Sequence, residues 1–321
     1  MSTKLEQFKK YINGKHALLL GAGVSNKPLI KMLLSYGAKV TVCDKNQAIA
    51  EEFLDEMKMG ASFQFGEGYL GNLDADIIFK TPGIRADIPQ LVEAAKRGTV
   101  ITSEMDVFFS LCPCRIIAVT GSDGKTTTTT LISEMLKAAG KTVWLGGNIG
   151  TPLLPKLDEM KAEDFAVVEL SSFQLMDMQH SSHIAVVTNL APNHLDVHKD
   201  MDEYVDAKKN IFKFQEENDT LILNLDNGIT NTFLGNGKTR WFSRLGKTEN
   251  GVCLDGDFIT RDGVKVLNVH DIVIPGVHNI ENYMAAILAV EGLVNDDTIR
   301  TVASTFGGVE HRIELVRVKD G

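Results

Sequence analysis

The run Arg115-Ile-Ile-Ala-Val-Thr-Gly-Ser-Asp-Gly-Lys-Thr-Thr127 sets a lysine and two hydroxyls directly behind two glycines, where an apolar, β-rich stretch gives way to a helical one. Gly121 and Gly124 let the backbone turn its N–H groups inward, Lys125 adds a point charge, and the Thr126 hydroxyl can ligate a metal carried by a triphosphate. A helix expected over 125–139 aims the positive end of its dipole at the same anion. Gly121, Ser122, Asp123, Gly124, Lys125, Thr126 and Thr127 therefore read as a phosphate-binding loop. The run departs from G-x-x-x-x-G-K-[ST] at one place, since Val119 stands where the pattern has glycine.

Four further groups could act beside that loop. Glu169 closes the otherwise apolar strand Phe165-Ala-Val-Val-Glu, placed either to hold magnesium or simply to meet water. His194, Asp196 and His198 follow another strand, with no soft ligands nearby to complete a zinc site, so that one of them is expected at the phosphate-bound metal. In a helix expected over 201–215, Tyr204, Val205, Ile211 and Phe212 share a stripe at 100° per residue with Lys208 near its middle. Either that lysine snorkels, which the pattern favours, or its ammonium form is disfavoured and a neutral amine is held for covalent modification. Asn279 and Asn282 sit at i and i+3, suited to the edge of adenine, although Asn279 also fits a helix N-cap.

The elements that must position these groups alternate strand and helix. In the first part, 15–20 reads as a strand, Gly21-Ala-Gly23 as a dinucleotide-type turn, and Leu29, Ile30, Leu33 and Leu34 as one helix face ending at Gly37. The strand over 39–43 ends at Asp44, an acid about 20 residues past the turn that could accept from a ribose hydroxyl. Asn26 replaces the third glycine of G-x-G-x-x-G, which leaves either a nucleotide other than NAD or a tight turn without ligand. Strands at 62–65, 76–81 and 99–102 and a helix at 90–97 complete a parallel sheet, with Thr81-Pro-Gly83 at a strand's carboxyl end. In the second part, strands over 142–145, 165–170, 183–188 and 219–223 are apolar throughout, as buried parallel strands are. Beyond 238, short strands around Asn250-Gly, Asp255-Gly and Asp262-Gly predict a small antiparallel appendage.

The fold class is thus α/β: a Rossmann-like domain over 1–112, then a P-loop NTPase-like, mostly parallel domain over 113–308, followed by 309–321. A length of 321 residues suits two domains, and a net charge of -9 without a basic block argues against nucleic-acid binding. Four cysteines are too few for a disulfide framework, Cys112-Pro-Cys114 lacks the partners of a zinc site, and there is no apolar leader or 18-residue apolar run. A reduced, cytoplasmic protein with small-molecule substrates, no membrane partner and a monomeric state is expected.

The motifs T-G-S-D-G-K-T (120–126), G-N-I-G (147–150), E-L-S-S-F-Q-L (169–175), N-L-A-P-N-H-L-D (189–196), Y-V-D-A-K (204–208), G-V-H-N-I-E-N (276–282) and H-R (311–312) together resemble the Mur ligase family, in order and over nearly the whole chain. E-L-S-S-F-Q-L is most similar to its D-glutamate-adding branch. The resemblance implies ATP and Mg2+ as cofactors and an acyl-phosphate route that joins D-glutamate to UDP-N-acetylmuramoyl-L-alanine in peptidoglycan precursor synthesis. It assigns Lys125 and Thr126 to the ATP phosphates and their magnesium, Glu169 and His194 to metal ligation, and Lys208 to a carbamoylated lysine that completes the magnesium site. It further implies Asn279 and Asn282 at adenine and ribose, Arg312 at a nucleotide phosphate, and Asn148, Ser171 and His194 at the UDP-sugar. Ser25, Asp44, Thr81 and Gly83 match positions that hold uridine diphosphate.

Members of the family carry a third α/β domain, and this sequence ends at Gly321 where that domain is expected to begin. A chain that binds the UDP-sugar but performs little or no ligation is the corresponding expectation. Rival readings are another Mur or folylpolyglutamate-synthase-like ligase, a nicotinamide-dependent oxidoreductase built on the Gly21 turn, and a non-catalytic nucleotide-binding module.

Overall fold

The computed structural model describes residues 3–192 and 198–309. Two compact units emerge: the first is the chain up to Pro113, joined by Thr151–Lys161 and Met176–Gln179 from later in the sequence, and the second is the remainder.

In the first unit, α1 (Lys4–Ile12) starts at Thr3, whose hydroxyl accepts the Glu6 N–H. There follow β1 (His16–Leu20), α2 (Lys27–Ser35), β2 (Lys39–Asp44), α3 (Leu54–Lys58), β3 (Ser62–Phe65), β4 (Ile77–Lys80), α4 (Pro89–Lys96), β5 (Val100–Thr102) and α5 (Glu104–Leu111). The strands form a wholly parallel sheet in the order β3-β2-β1-β4-β5. Its order reverses at β1, so the turns after β1 and β4 open together at the carboxyl edge, where such sheets take ligands. The face of α2 buries Leu29, Ile30, Met32 and Leu33, while Leu34, expected inside, is half-buried. The first and last helices of this unit were not foreseen, since α1 has one buried residue and α5 two acids in its first turn.

The second unit runs β6 (Arg115–Thr120), α6 (Lys125–Ala138), β7 (Val143–Gly147), β8 (Phe165–Glu169), α7 (Ser172–Leu175), β9 (Ile184–Val187), α8 (Met201–Lys209) and β10 (Thr220–Asn224). Then come β11 (Lys238–Ser243), β12 (Gly251–Asp255), β13 (Phe258–Arg261), β14 (Val264–Asn268), α9 (His278–Ala289) and α10 (Asp296–Thr305). One sheet holds every strand, in the order β14-β13-β12-β11-β10-β9-β6-β8-β7, parallel from β7 to β12 and antiparallel through β13 and β14. Leu131, Ile132, Met135 and Leu136 of α6 join Ile117, Val167, Val186 and the buried face of α9 in its core. The threonine run at the start of α6, a poor helix former, is tied down as Thr129 and Thr130 donate to the carbonyls of Lys125 and Thr126, 2.8 Å each.

Two local expectations change. The helix expected to reach 215 ends at Lys209: Asn210 gives its Nδ2 to Leu175 O at 2.9 Å, and the chain goes on in single turns. Residues Asp255-Gly256 and Asp262-Gly263 do mark antiparallel hairpins, but Asn250-Gly251 does not, because β12 enters parallel to β11. Asp262, at φ +49°, uses its carboxylate to accept the Gly251 N–H at 2.9 Å and so fixes that entry. Among the described residues no helix is long and apolar enough to cross a membrane.

Candidate functional site

The glycine turn lies at the carboxyl end of β6. Because β6 runs on to Thr120, with Val119 paired opposite Glu169, position 119 is a buried strand residue and needs no glycine. At Gly121 a Cβ would collide with the Thr188 side chain, and Gly124, at φ +77°, lies against Asn282 Oδ1. Segment 188–191 clamps the turn: Ser122 N–H donates to Asn189 O at 2.9 Å, Asp123 N–H to Asn189 Oδ1 at 3.0 Å, and the Ser122 hydroxyl to Ala191 O at 3.0 Å. Lys125 folds over the loop, donating to the carbonyls of Gly121 (3.0 Å) and Ser122 (2.8 Å). Thr126 is buried, and Thr127 half-buried, in the first turn of α6.

Lys208 reaches this turn from α8. Its ammonium is 2 % exposed and donates to Thr120 Oγ1 at 3.1 Å and to Gly121 O at 3.0 Å, over the Tyr204 ring. It does not snorkel. Burial first, and the Lys125 charge second, push its pKa down to about 7 against the pull of Glu169. Tyr204 in turn bonds Ser122 Oγ at 2.9 Å, tying α8 to the loop.

Glu169 is 1 % exposed; Oε1 accepts from Asn148 Nδ2 at 2.9 Å, and Oε2 has no hydrogen-bond partner among the described residues. A buried carboxylate oxygen without a partner is costly unless something cationic completes it. No cluster of three His, Cys, Asp or Glu side chains suited to a metal occurs among the described residues. A magnesium ion on substrate phosphates needs fewer protein ligands, one or two carboxylates and a hydroxyl, so Glu169, Thr126 and an acylated Lys208 fit it.

A cavity of about 540 Å³ adjoins the turn, walled by Asp123, Gly124, Phe242, Pro275, Asn279 and Asn282 among others. Its amides form a chain: Thr128 Oγ1 donates to Asn282 Oδ1 (3.2 Å), Asn282 Nδ2 to Asn279 Oδ1 (2.9 Å), and Asn279 Nδ2 to Pro275 O (2.6 Å). Asn279 is buried inside α9 rather than capping it, since the cap position is Val277.

Ser171 does not stand open. Its hydroxyl donates to Gln174 Oε1 at 3.0 Å and accepts the Gln174 N–H at 3.2 Å, so S-S-F-Q closes as a capping box for α7. His198 is buried, stacked on Phe173 at 5.4 Å with Nε2 2.9 Å from Ser172 Oγ, and so belongs to the packing of α7 and α8. His194, Asp196 and Arg312 lie outside the described residues.

In the first unit, Asp44 accepts the N–H groups of Ala22 (2.7 Å) and Asn46 (2.8 Å), gripping the turn from the end of β2. Thr81 crowds Gly21, where an added Cβ would meet Thr81 Oγ1 at 2.5 Å. Ser25 is half-buried in the same turn, and Gly83 is exposed beyond Thr81. Sequence reasoning missed the residue that welds these parts. Asn26 is 1 % exposed and its Nδ2 faces the carbonyls of Leu20 (3.4 Å), Gly21 (2.9 Å) and Phe79 (3.0 Å). Its sequence signal was the missing third glycine. Thr120 and Asn189, also missed, carry no motif.

Doubly wound parallel sheets, one with a glycine turn between strand and helix, place the chain among the Rossmann-like and P-loop NTPase-like α/β proteins. The Mur ligase middle domain matches residues 119–290. UDP-N-acetylmuramoylalanine–D-glutamate ligases of Acetivibrio thermocellus and Ruminiclostridium cellulolyticum are 54% and 50% identical over 330 residues, covering 100% of this chain and 71% of each relative. Among solved structures, UDP-N-acetylmuramate:L-alanyl-gamma-D-glutamyl-meso-diaminopimelate ligase from Neisseria meningitides superposes with a TM-score of 0.63 at 18% identity, over 92% of this chain and 99% of that one. For UDP-N-acetylmuramate-alanine ligase from Thermotoga maritima the score is 0.57 at 22% identity, over 95% and 71%. The chain belongs to the Mur ligase family.

Proposed function

We propose that the chain serves peptidoglycan precursor synthesis as an ATP-dependent carboxylate–amine ligase of the cytoplasm, joining D-glutamate to UDP-N-acetylmuramoyl-L-alanine. It works on small molecules, as a monomer, with ATP and Mg2+. The observation that carries the reading is the meeting of Glu169, with one buried oxygen unpartnered, and Lys208, with a weakened ammonium, at the two ends of one glycine turn. The identity to D-glutamate ligases supports the choice of amino acid.

In this reading the substrate's alanyl carboxylate attacks the γ-phosphorus of ATP, ADP leaves, and an acyl phosphate forms. The amine of D-glutamate then attacks the acyl carbon, inorganic phosphate departs, and the amine loses a proton. Two anions must approach for the first step. Lys125, the N–H groups of the turn and the N-terminus of α6 offset their repulsion from fixed positions. When bound, Mg2+ would neutralise charge on the transferring phosphoryl group, held by Thr126, Glu169, His194 and carbamoylated Lys208. Lys125, Lys208 and His194 are the catalytic set. Gly121, Ser122, Asp123, Gly124, Thr127, Asn279, Asn282 and Arg312 complete the ATP site, while Asn148, Ser171 and His194 face the muramoyl end. Ser25, Asp44, Thr81 and Gly83 hold the uridine diphosphate.

The test is which peptide stage is bound. Thermal shifts with UDP-N-acetylmuramate, its L-alanyl form and its L-alanyl-D-glutamyl form should be largest for the L-alanyl form. A larger shift with either of the others overturns the assignment of the D-glutamate step.

A further inference from the structure

The cavity beside the turn follows the carboxyl edge of the sheet from β6 to β11. Phe242 lies near the end of β11, three strands from the loop that follows β6, or about 14 Å at the usual strand spacing. An extended nucleoside triphosphate with its phosphates on that loop brings its base to the Phe242 end, where Ile274 and Pro275 add apolar wall. An ion pair stands there that none of the motifs includes. Arg244, two residues beyond Phe242, donates from Nε to Glu281 Oε1 at 2.8 Å, and Glu281 lines the cavity. Asp226 accepts the Arg244 backbone N–H at 2.7 Å and fixes the arginine in turn. Oε2 of Glu281 has no protein partner among the described residues.

The geometry points to Glu281 as the residue that selects the base: Oε2 accepts a hydrogen bond from the 6-amino group of adenine and repels the 6-oxo oxygen of hypoxanthine or guanine. A carboxylate is acceptor-only, so a carbonyl opposite it leaves two acceptors face to face. The nearby amides do not supply this selection, because Asn282 and Asn279 are already engaged with each other, Thr128 and Pro275. The inference rests on the ATP reading above and adds the choice of purine.

Calorimetric titration of the 321-residue chain in Mg2+ with ATP, inosine triphosphate and 2′-deoxy-ATP tests it, using wild type, Glu281→Gln and Arg244→Met. Wild type should prefer ATP to inosine triphosphate by at least about tenfold, the worth of one hydrogen bond to a charged group. Glu281→Gln, whose amide can donate as well as accept, should bring that ratio within about threefold, and Arg244→Met, which releases the carboxylate, should lower it partway. The inference is overturned if both variants keep the wild-type ratio, or if they alter only the preference over 2′-deoxy-ATP, which would put the carboxylate at the ribose. Wild type that binds none of the three nucleotides refutes the ATP reading itself, a result that no base preference produces.

Discussion

Lys208 shows how much of one residue's role is local and how much is not. Its place on a buried stripe was legible from the spacing of Tyr204 and Lys208. Its partners were not, because Thr120 lies 88 residues away and only the sheet brings the two together. Pattern alone favoured snorkelling; the carbonyl of Gly121 and the Tyr204 ring instead enclose the amine. With its pKa lowered to about 7, the neutral, nucleophilic fraction grows as pH rises through 7. Carbamate formation with 13C-bicarbonate should therefore follow that rise, read as a carbamate carbon resonance that Lys208→Arg abolishes. A signal that persists in the variant would place the carbamate elsewhere. Asn26 makes a second case: Asn26→Ala strips one amide from buried carbonyls and should cost about 2 kcal/mol in urea denaturation.

At the scale of elements, the strand–turn–helix of the phosphate loop could be read directly, but the reason for Val119 could not. Only the register of β6 against β8 shows that the strand outlasts that position. Gly124→Ala should be destabilising by about 1–3 kcal/mol and should weaken ATP binding, since its φ of +77° and the contact with Asn282 both exclude a side chain. A variant with unchanged melting temperature and ATP affinity would contradict this. Glu104 of α5 was invisible in the sequence as anything but a first-turn acid. Its buried carboxyl accepts the N–H groups of Leu153 (3.0 Å) and Leu154 (2.9 Å), which anchors the 3-10 turn Leu154–Glu159. Burial raises its pKa from 4.5 to about 7, with those two N–H groups opposing. The folded state thus holds the proton more tightly than the unfolded chain. Its contribution is full below pH 4.5 and is lost as pH climbs through about 7. Glu104→Gln keeps an acceptor without the charge, so wild type should lose on the order of 2–3 kcal/mol relative to the variant between pH 4.5 and 8. Parallel pH profiles of the two proteins would exclude the effect.

For the whole molecule, the alternation of strands and helices showed two parallel sheets in chain order. It did not show that Thr151–Lys161 and Met176–Gln179 return to the first unit, because nothing in their composition differs from a surface connection. The antiparallel edge was legible from its Asp-Gly turns, its fusion to the main sheet through β11 and β12 was not. What unites the molecule's chemistry is a phosphate loop with one buried acid beside it, poised for a metal-bearing nucleotide. Titration of ATP into wild type and Glu169→Gln, each with and without Mg2+, tests that claim most directly. Wild type should bind ATP at least about tenfold more tightly with Mg2+, and Glu169→Gln should lose most of that gain. An affinity indifferent to Mg2+ in wild type, or a gain that survives in the variant, would contradict it.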